Sequence, residues 1–98
     1  MISPTEAKIL GLLISRPKGS YGSELVHASN GTLKRGTVYT TLSRLEDAGL
    51  VRSVEEPATE EYALPRTVYK ITGDGVRARN ELAEFMGFSA PGLAGGTA

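Results

Sequence analysis

Gly36-Thr37-Val38-Tyr39-Thr40-Thr41-Leu42-Ser43-Arg44-Leu45-Glu46-Asp47-Ala48-Gly49 is the stretch that decides the fold. Val38, Leu42 and Leu45 stand at i, i+4 and i+7, a spacing that gathers them into one narrow apolar stripe on a helix. The helix is expected to start at Arg35 or Gly36 and run through Ala48, with Gly49 as the left-handed residue that ends it. Its other side carries Thr37, Thr40, Ser43, Arg44 and Asp47. Tyr39 sits at the boundary, and Lys34 and Arg35 flank the start.

Downstream, residues 50–54 are rich in β-formers, and residues 66–72 alternate, with Val68 facing away from Tyr69 and Ile71. Between them, residues 55–65 hold two prolines and four glutamates and read as a loop. The pair is a hairpin with a long connection. Thr72 can cap a fourth helix carrying Ala78, Leu82, Phe85 and Met86 on one face. From Gly87 to the last residue the chain is rich in glycine and alanine and has no charged side chain, so a disordered tail is expected.

Upstream, Ser3-Pro4-Thr5-Glu6 is a helix start. Ser3 caps, Pro4 suits the first helical position, and Glu6 closes a capping box. Ile9, Leu10, Leu12, Leu13 and Ile14 then make a helix that is apolar over more than one face, stopped by Arg16-Pro17-Lys18-Gly19. A second helix is expected from near Ser20 to Ser29, with Leu25 and Val26 on its buried side and Asn30-Gly31 as its stop. The order is helix, helix, helix, strand, loop, strand, helix. That order is a mainly α fold with a small β-hairpin (α+β), the winged helix–turn–helix arrangement. Residues 1–86 form the expected domain, and residues 87–98 the tail.

Composition narrows the function. At 98 residues the chain holds one domain and one core. Without cysteine there is no disulfide framework, thiolate metal site or cysteine nucleophile. No apolar run approaches the roughly 18–20 residues of a membrane span, and the first residues lack a signal-peptide pattern. A cytoplasmic protein without membrane attachment is expected. Eleven basic and eleven acidic side chains cancel, so nucleic-acid binding requires segregated charge. It is segregated. Residues 32–52 contain Lys34, Arg35, Arg44 and Arg52 against Glu46 and Asp47, whereas residues 53–65 contain Glu55, Glu56, Glu60 and Glu61 and no cation.

The stretch 36–51, with its Gly-Thr-Val-Tyr opening, Leu42, Arg44-Leu45-Glu46 and Gly49-Leu50, resembles the recognition-helix signature of PadR-like transcriptional regulators. Arg66-Thr67-Val68-Tyr69-Lys70-Ile71-Thr72 with Gly75 is similar to that family's second wing strand and last helix. Tyr21-Gly22 with Glu24-Leu25 is similar to the opening of its second helix. The resemblance covers roughly residues 2–82. It implies a dimeric repressor that reads an operator with the third helix, touches flanking DNA with the wing, and often answers to a small effector, here of unknown identity. The chain departs from the family in three places. Thr40 stands where proline is common, the part after Gly75 is short, and the wing is acidic.

These residue types suit duplex DNA. A helix fits the major groove, small hydroxyl side chains allow close approach, and arginine can fork onto guanine or hold a phosphate. The expected DNA-contacting set is Ser20, Tyr21, Lys34, Arg35, Thr37, Tyr39, Thr40, Arg44, Arg66 and Lys70. Tyr39 has two readings, a phosphate donor or a ring at the core edge, and the cations also fit an ordinary solvated face. The expected dimer interface is Ile9, Leu13, Leu82, Phe85 and Met86, because the first helix can serve both the core and a partner. The competing class is a winged helix that binds protein and no DNA, which the zero net charge and acidic wing favour.

An enzyme is not expected. His27, the single histidine, reads as a surface residue. The Glu55/Glu56 and Glu60/Glu61 pairs lie on a loop that holds no geometry for acid–base work. Gly73-Asp74-Gly75 is too short for a phosphate loop. No cofactor or metal is implied.

Overall fold

The computed structural model describes residues 2–85. Met86 and the tail 87–98 lie outside them, as do the expectations placed there. The first helix, α1 (Pro4–Ile14), begins as its sequence dictates. Ser3 Oγ accepts from the Glu6 amide at 3.1 Å, and the Ser3 amide donates to Glu6 Oε1 at 2.7 Å. Two otherwise orphaned donors are satisfied, an arrangement worth about 1 kcal/mol to a helix start.

Next come β1 (Ser20–Tyr21), α2 (Gly22–Ala28) and α3 (Arg35–Asp47). The turn between the two helices is set by Ser29, whose Oγ donates to the Val26 carbonyl at 2.7 Å and accepts from the Leu33 amide at 3.1 Å. β2 (Val51–Glu56), β3 (Arg66–Ile71) and α4 (Gly73–Phe85) complete the chain. Gly49 takes φ +77° at the end of α3, the left-handed conformation expected of it.

The sheet has three antiparallel strands in the order β1-β3-β2. Ser20 pairs with Tyr69 and Tyr21 with Val68, while Val51 through Glu56 run against Ile71 through Arg66. The wing is therefore a hairpin with a two-residue third strand. That strand corrects one expectation, because Ser20 and Tyr21 belong to β1 and the second helix starts at Gly22. Backbone pairing with β3 decides this, and pairing between distant segments leaves no local sequence signal.

The core forms where the apolar stripes of three helices meet one face of the sheet. Ile9, Leu10 and Leu13 of α1, Leu25 of α2, and Val38, Leu42 and Leu45 of α3 have no exposed surface, and Leu33 and Val51 join them. Each such side chain contributes roughly 1.5–3 kcal/mol by leaving water. Ile9 and Leu13 are thus consumed by the protomer's own core, which overturns their expected place at a dimer interface. A side chain enclosed on all sides has no surface to offer a partner.

α4 packs along α1. Its start is fixed by Thr72, whose Oγ1 accepts from the Gly75 amide at 3.0 Å and donates to the Gly49 carbonyl at 2.8 Å. One hydroxyl ties the end of α3 to the beginning of α4. Ala83 is buried and Leu82 half-buried, and Phe85 stands 71% exposed.

Candidate nucleic-acid interface

Burying Val38, Leu42 and Leu45 turns the opposite side of α3 to solvent. Lys34, Arg35, Thr37, Thr40, Ser43 and Arg44 are all exposed. Thr41 joins the buried side. The N-cap residue is Lys34, whose side chain makes no cap hydrogen bond. The helix therefore begins with cations and small hydroxyl side chains, and no side-chain oxygen occupies its first amides. This is the surface a phosphate-bearing groove can approach.

The Arg35 guanidinium lies 5.2 Å from the centre of the Tyr39 ring, within the range of a cation–π contact. Tyr39 itself is half-buried because its ring leans on the start of α2. The packing agrees with the reading of Tyr39 as a ring at the core edge.

The wing contributes through its outer face. Residues two apart on a strand share a face, and the register puts Tyr21 beside Val68, and Glu56 opposite Arg66, on the face away from the core. There the Arg66 guanidinium lies over two rings, 4.0 Å from the centre of Tyr21 and 3.7 Å from that of Tyr62. Glu56 Oε1 lies 3.7 Å from Arg66 Nη2 and accepts a short hydrogen bond from the Tyr21 hydroxyl. That bond to Glu56, more than any other influence, raises the Tyr21 pKa above its usual 10.0. Burial does the same for Tyr69. The long wing connection folds back to reach Arg66. The Thr59 amide donates to the Tyr62 carbonyl at 2.7 Å, and the Tyr62 amide to Thr59 Oγ1 at 3.1 Å.

A cleft of about 330 Å³ joins these parts. Tyr21, Arg35, Tyr39, Arg66 and Thr67 line it, so it runs from the start of α3 to the return strand of the wing. Four of the residues expected to contact DNA, namely Tyr21, Arg35, Tyr39 and Arg66, therefore meet in one place. Lys34, Thr37, Thr40 and Arg44 continue the surface along α3. Two others stand apart. Ser20 is 2% exposed, with its hydroxyl donating to the Tyr21 carbonyl at 3.0 Å, so it presents nothing to a ligand. Lys70 lies at the far end of β3 opposite Arg52.

Sequence reading missed Tyr62 and Glu56 as members of this site. The only signal for Tyr62 was an aromatic residue inside an otherwise acidic and small-residue loop. Glu46 is also not a free counter-charge. Its Oε2 accepts from the Ser53 amide at 3.2 Å and from the Ser53 hydroxyl, covering the open edge of β2.

Among the described residues no group of histidines and carboxylates is placed to hold a metal, and no helix is long and apolar enough to cross a membrane.

Three helices, a wing hairpin and a polar face on the third helix define a winged helix–turn–helix protein of the transcription-regulator class. The chain belongs to the PadR-like family of transcriptional regulators, whose model matches residues 9–81. The members of this family are regulators and not enzymes. The chain is similar to a transcriptional regulator from Clostridium thermocellum, at 29% identity and TM-score 0.66 over 83% of this chain and 80% of that one. It is also similar to a PadR family transcriptional regulator from Eggerthella lenta, at 27% identity and TM-score 0.66 over 80% and 70% of the two chains. The fold extends to a mutant of Staphylococcus aureus MepR bound to an oligodeoxyribonucleotide, at 19% identity and TM-score 0.66 over 87% and 60%. No curated protein sequence matches the chain.

Proposed function

We propose that this protein binds double-stranded DNA sequence-specifically as a homodimeric repressor in the cytoplasm, laying α3 in the major groove. The observation that carries the reading is the exposed face of α3, where Thr37, Thr40, Ser43 and Arg44 lie together beside Lys34 and Arg35. Hydroxyl and guanidinium groups are the donors and acceptors that base edges match, and the flanking cations suit phosphates. The DNA-bound state of MepR, which shares this fold, supports the same use of it. The half-buried Leu82 and exposed Phe85 supply apolar surface for a second copy. A two-fold dimer would set its two recognition helices about 34 Å apart, one turn of DNA. A small-molecule effector, as the family resemblance implies, would act by changing that separation.

Selection of bound sequences from a random duplex pool tests the reading. An inverted repeat with half-sites about one turn apart is the expected product. A pool that gains no common sequence would contradict it.

A second reading rests on the wing. Leu64 is 77% exposed, and Tyr62 and Val54 are also exposed beside the loop's glutamates, which would suit docking to another protein. Salt-dependent retention on random duplex DNA separates the two, since a module used only for protein contact would not be retained.

A further inference from the structure

The pair formed by Arg66 and Glu56 carries an inference that rests on the DNA-binding reading and goes past it. Arg66 is the wing cation that reaches the cleft beside α3, and its guanidinium carbon already lies over the rings of both Tyr21 and Tyr62. Stacking leaves the donor edge of a guanidinium as its binding surface, and it holds that edge in place before any ligand arrives. The group beside that edge is a carboxylate. At 3.7 Å the Glu56 oxygen is close enough for an ion pair but too far for a hydrogen bond, and the two side chains are 35% (Arg66) and 47% (Glu56) exposed. Glu56 is itself held by the Tyr21 hydroxyl, the same side chain that stacks on Arg66.

A carboxylate and a phosphodiester are alternative anions for one guanidinium. A phosphate would form short, bidentate hydrogen bonds where Glu56 makes a long contact, and in a half-exposed setting the carboxylate is displaceable.

We propose that Arg66 is a preorganised contact for a DNA backbone phosphate and that Glu56 is its built-in competitor, an intramolecular anion that the duplex must displace. Tyr21 and Tyr62 are positioning residues in this device. They hold the guanidinium whichever anion it faces. Glu56 accordingly sets a threshold on binding, and Arg66 adds one phosphate per protomer to the contacts of α3.

The test is a double-mutant cycle on duplex affinity, using the selected operator and the full chain with Glu56→Gln, Arg66→Ala and the double variant. Glu56→Gln is expected to tighten binding about two- to fivefold per protomer, the range of an exposed ion pair. In the Arg66→Ala background the same change should do nothing. Arg66→Ala alone should weaken binding and lower the log–log salt slope by about one per protomer. Tyr62→Ala should weaken binding while leaving that slope in place, because the phosphate contact persists from a less ordered guanidinium. Equal effects of Glu56→Gln with and without Arg66 would overturn the proposal, since the carboxylate would then act only through its general charge. An unchanged salt slope in Arg66→Ala would overturn it too. Wild-type protein that binds no duplex would bring down the DNA-binding reading and this proposal together, whereas tight wild-type binding with additive variants defeats the proposal alone.

Discussion

A Cβ atom at position 22 would stand 2.5 Å from Cε1 and Cζ of Tyr39, so the tyrosine ring occupies space that only glycine leaves open. This contact locks the start of α2 against the first turn of α3. It also fixes where Tyr39 and its neighbour Arg35 present themselves along the cleft.

Gly22→Ala sets two effects against each other. Helix propensity favours alanine by about 1 kcal/mol. Overpacking against a rigid ring costs about 1–3 kcal/mol, and the ring has α2 on one side and the core edge on the other. The net expected is a loss of stability, read as a lower urea midpoint at unchanged slope. A rise in the midpoint would mean that the ring moves aside freely.

Tyr21 provides a readout of the wing's hydrogen bond to Glu56. Because that bond favours the neutral phenol, the Tyr21 pKa lies above 10.0. The sign follows directly. The stabilisation is complete below pH 10.0, the unfolded value, and is lost as pH rises through the higher folded one. Titration of phenolate absorbance should show Tyr21 and Tyr69 ionising late, and Glu56→Gln should bring only Tyr21 earlier. Superimposable curves for the two proteins would show that Glu56 does not hold Tyr21.

Phe85 gives the dimer a direct test. With Ile9 and Leu13 enclosed in the core, Leu82 and Phe85 are the described residues of the expected interface that still offer surface. Sedimentation at micromolar concentration should find a dimer, and Phe85→Glu should dissociate it, since a carboxylate at an apolar interface is left unpaired. The dissociated variant should also lose operator affinity, because a single half-site forfeits the second recognition helix. A wild-type monomer, or a dimer indifferent to the change, would contradict the interface.

What was legible in the sequence was local. The Ser3–Glu6 capping box, the Val38, Leu42 and Leu45 stripe, and the positive φ at Gly49 each depend on residues within one or two turns. The exposed face of α3 followed from the same periodicity. Features made by distant segments were not legible. β1 exists because Ser20 and Tyr21 pair with β3, and that pairing also buries Ser20, which had been expected to touch DNA. The first helix was apolar enough to suggest two roles for Ile9 and Leu13, but the three-helix core takes both entirely. The enclosure of Arg66 draws on β1, the end of β2 and the wing connection, and no spacing announces it.

The central claim is that α3 holds DNA through the cations at its start and on its outer face, and the salt dependence of duplex binding tests it most directly. Wild-type affinity should fall steeply as salt rises, with a log–log slope of several units for a dimer. Replacing Lys34, Arg35 and Arg44 together by glutamine should flatten that slope by several units and abolish preference for the operator, with the fold intact because all three side chains are exposed. A triple variant that binds the operator with wild-type affinity and slope would contradict the account.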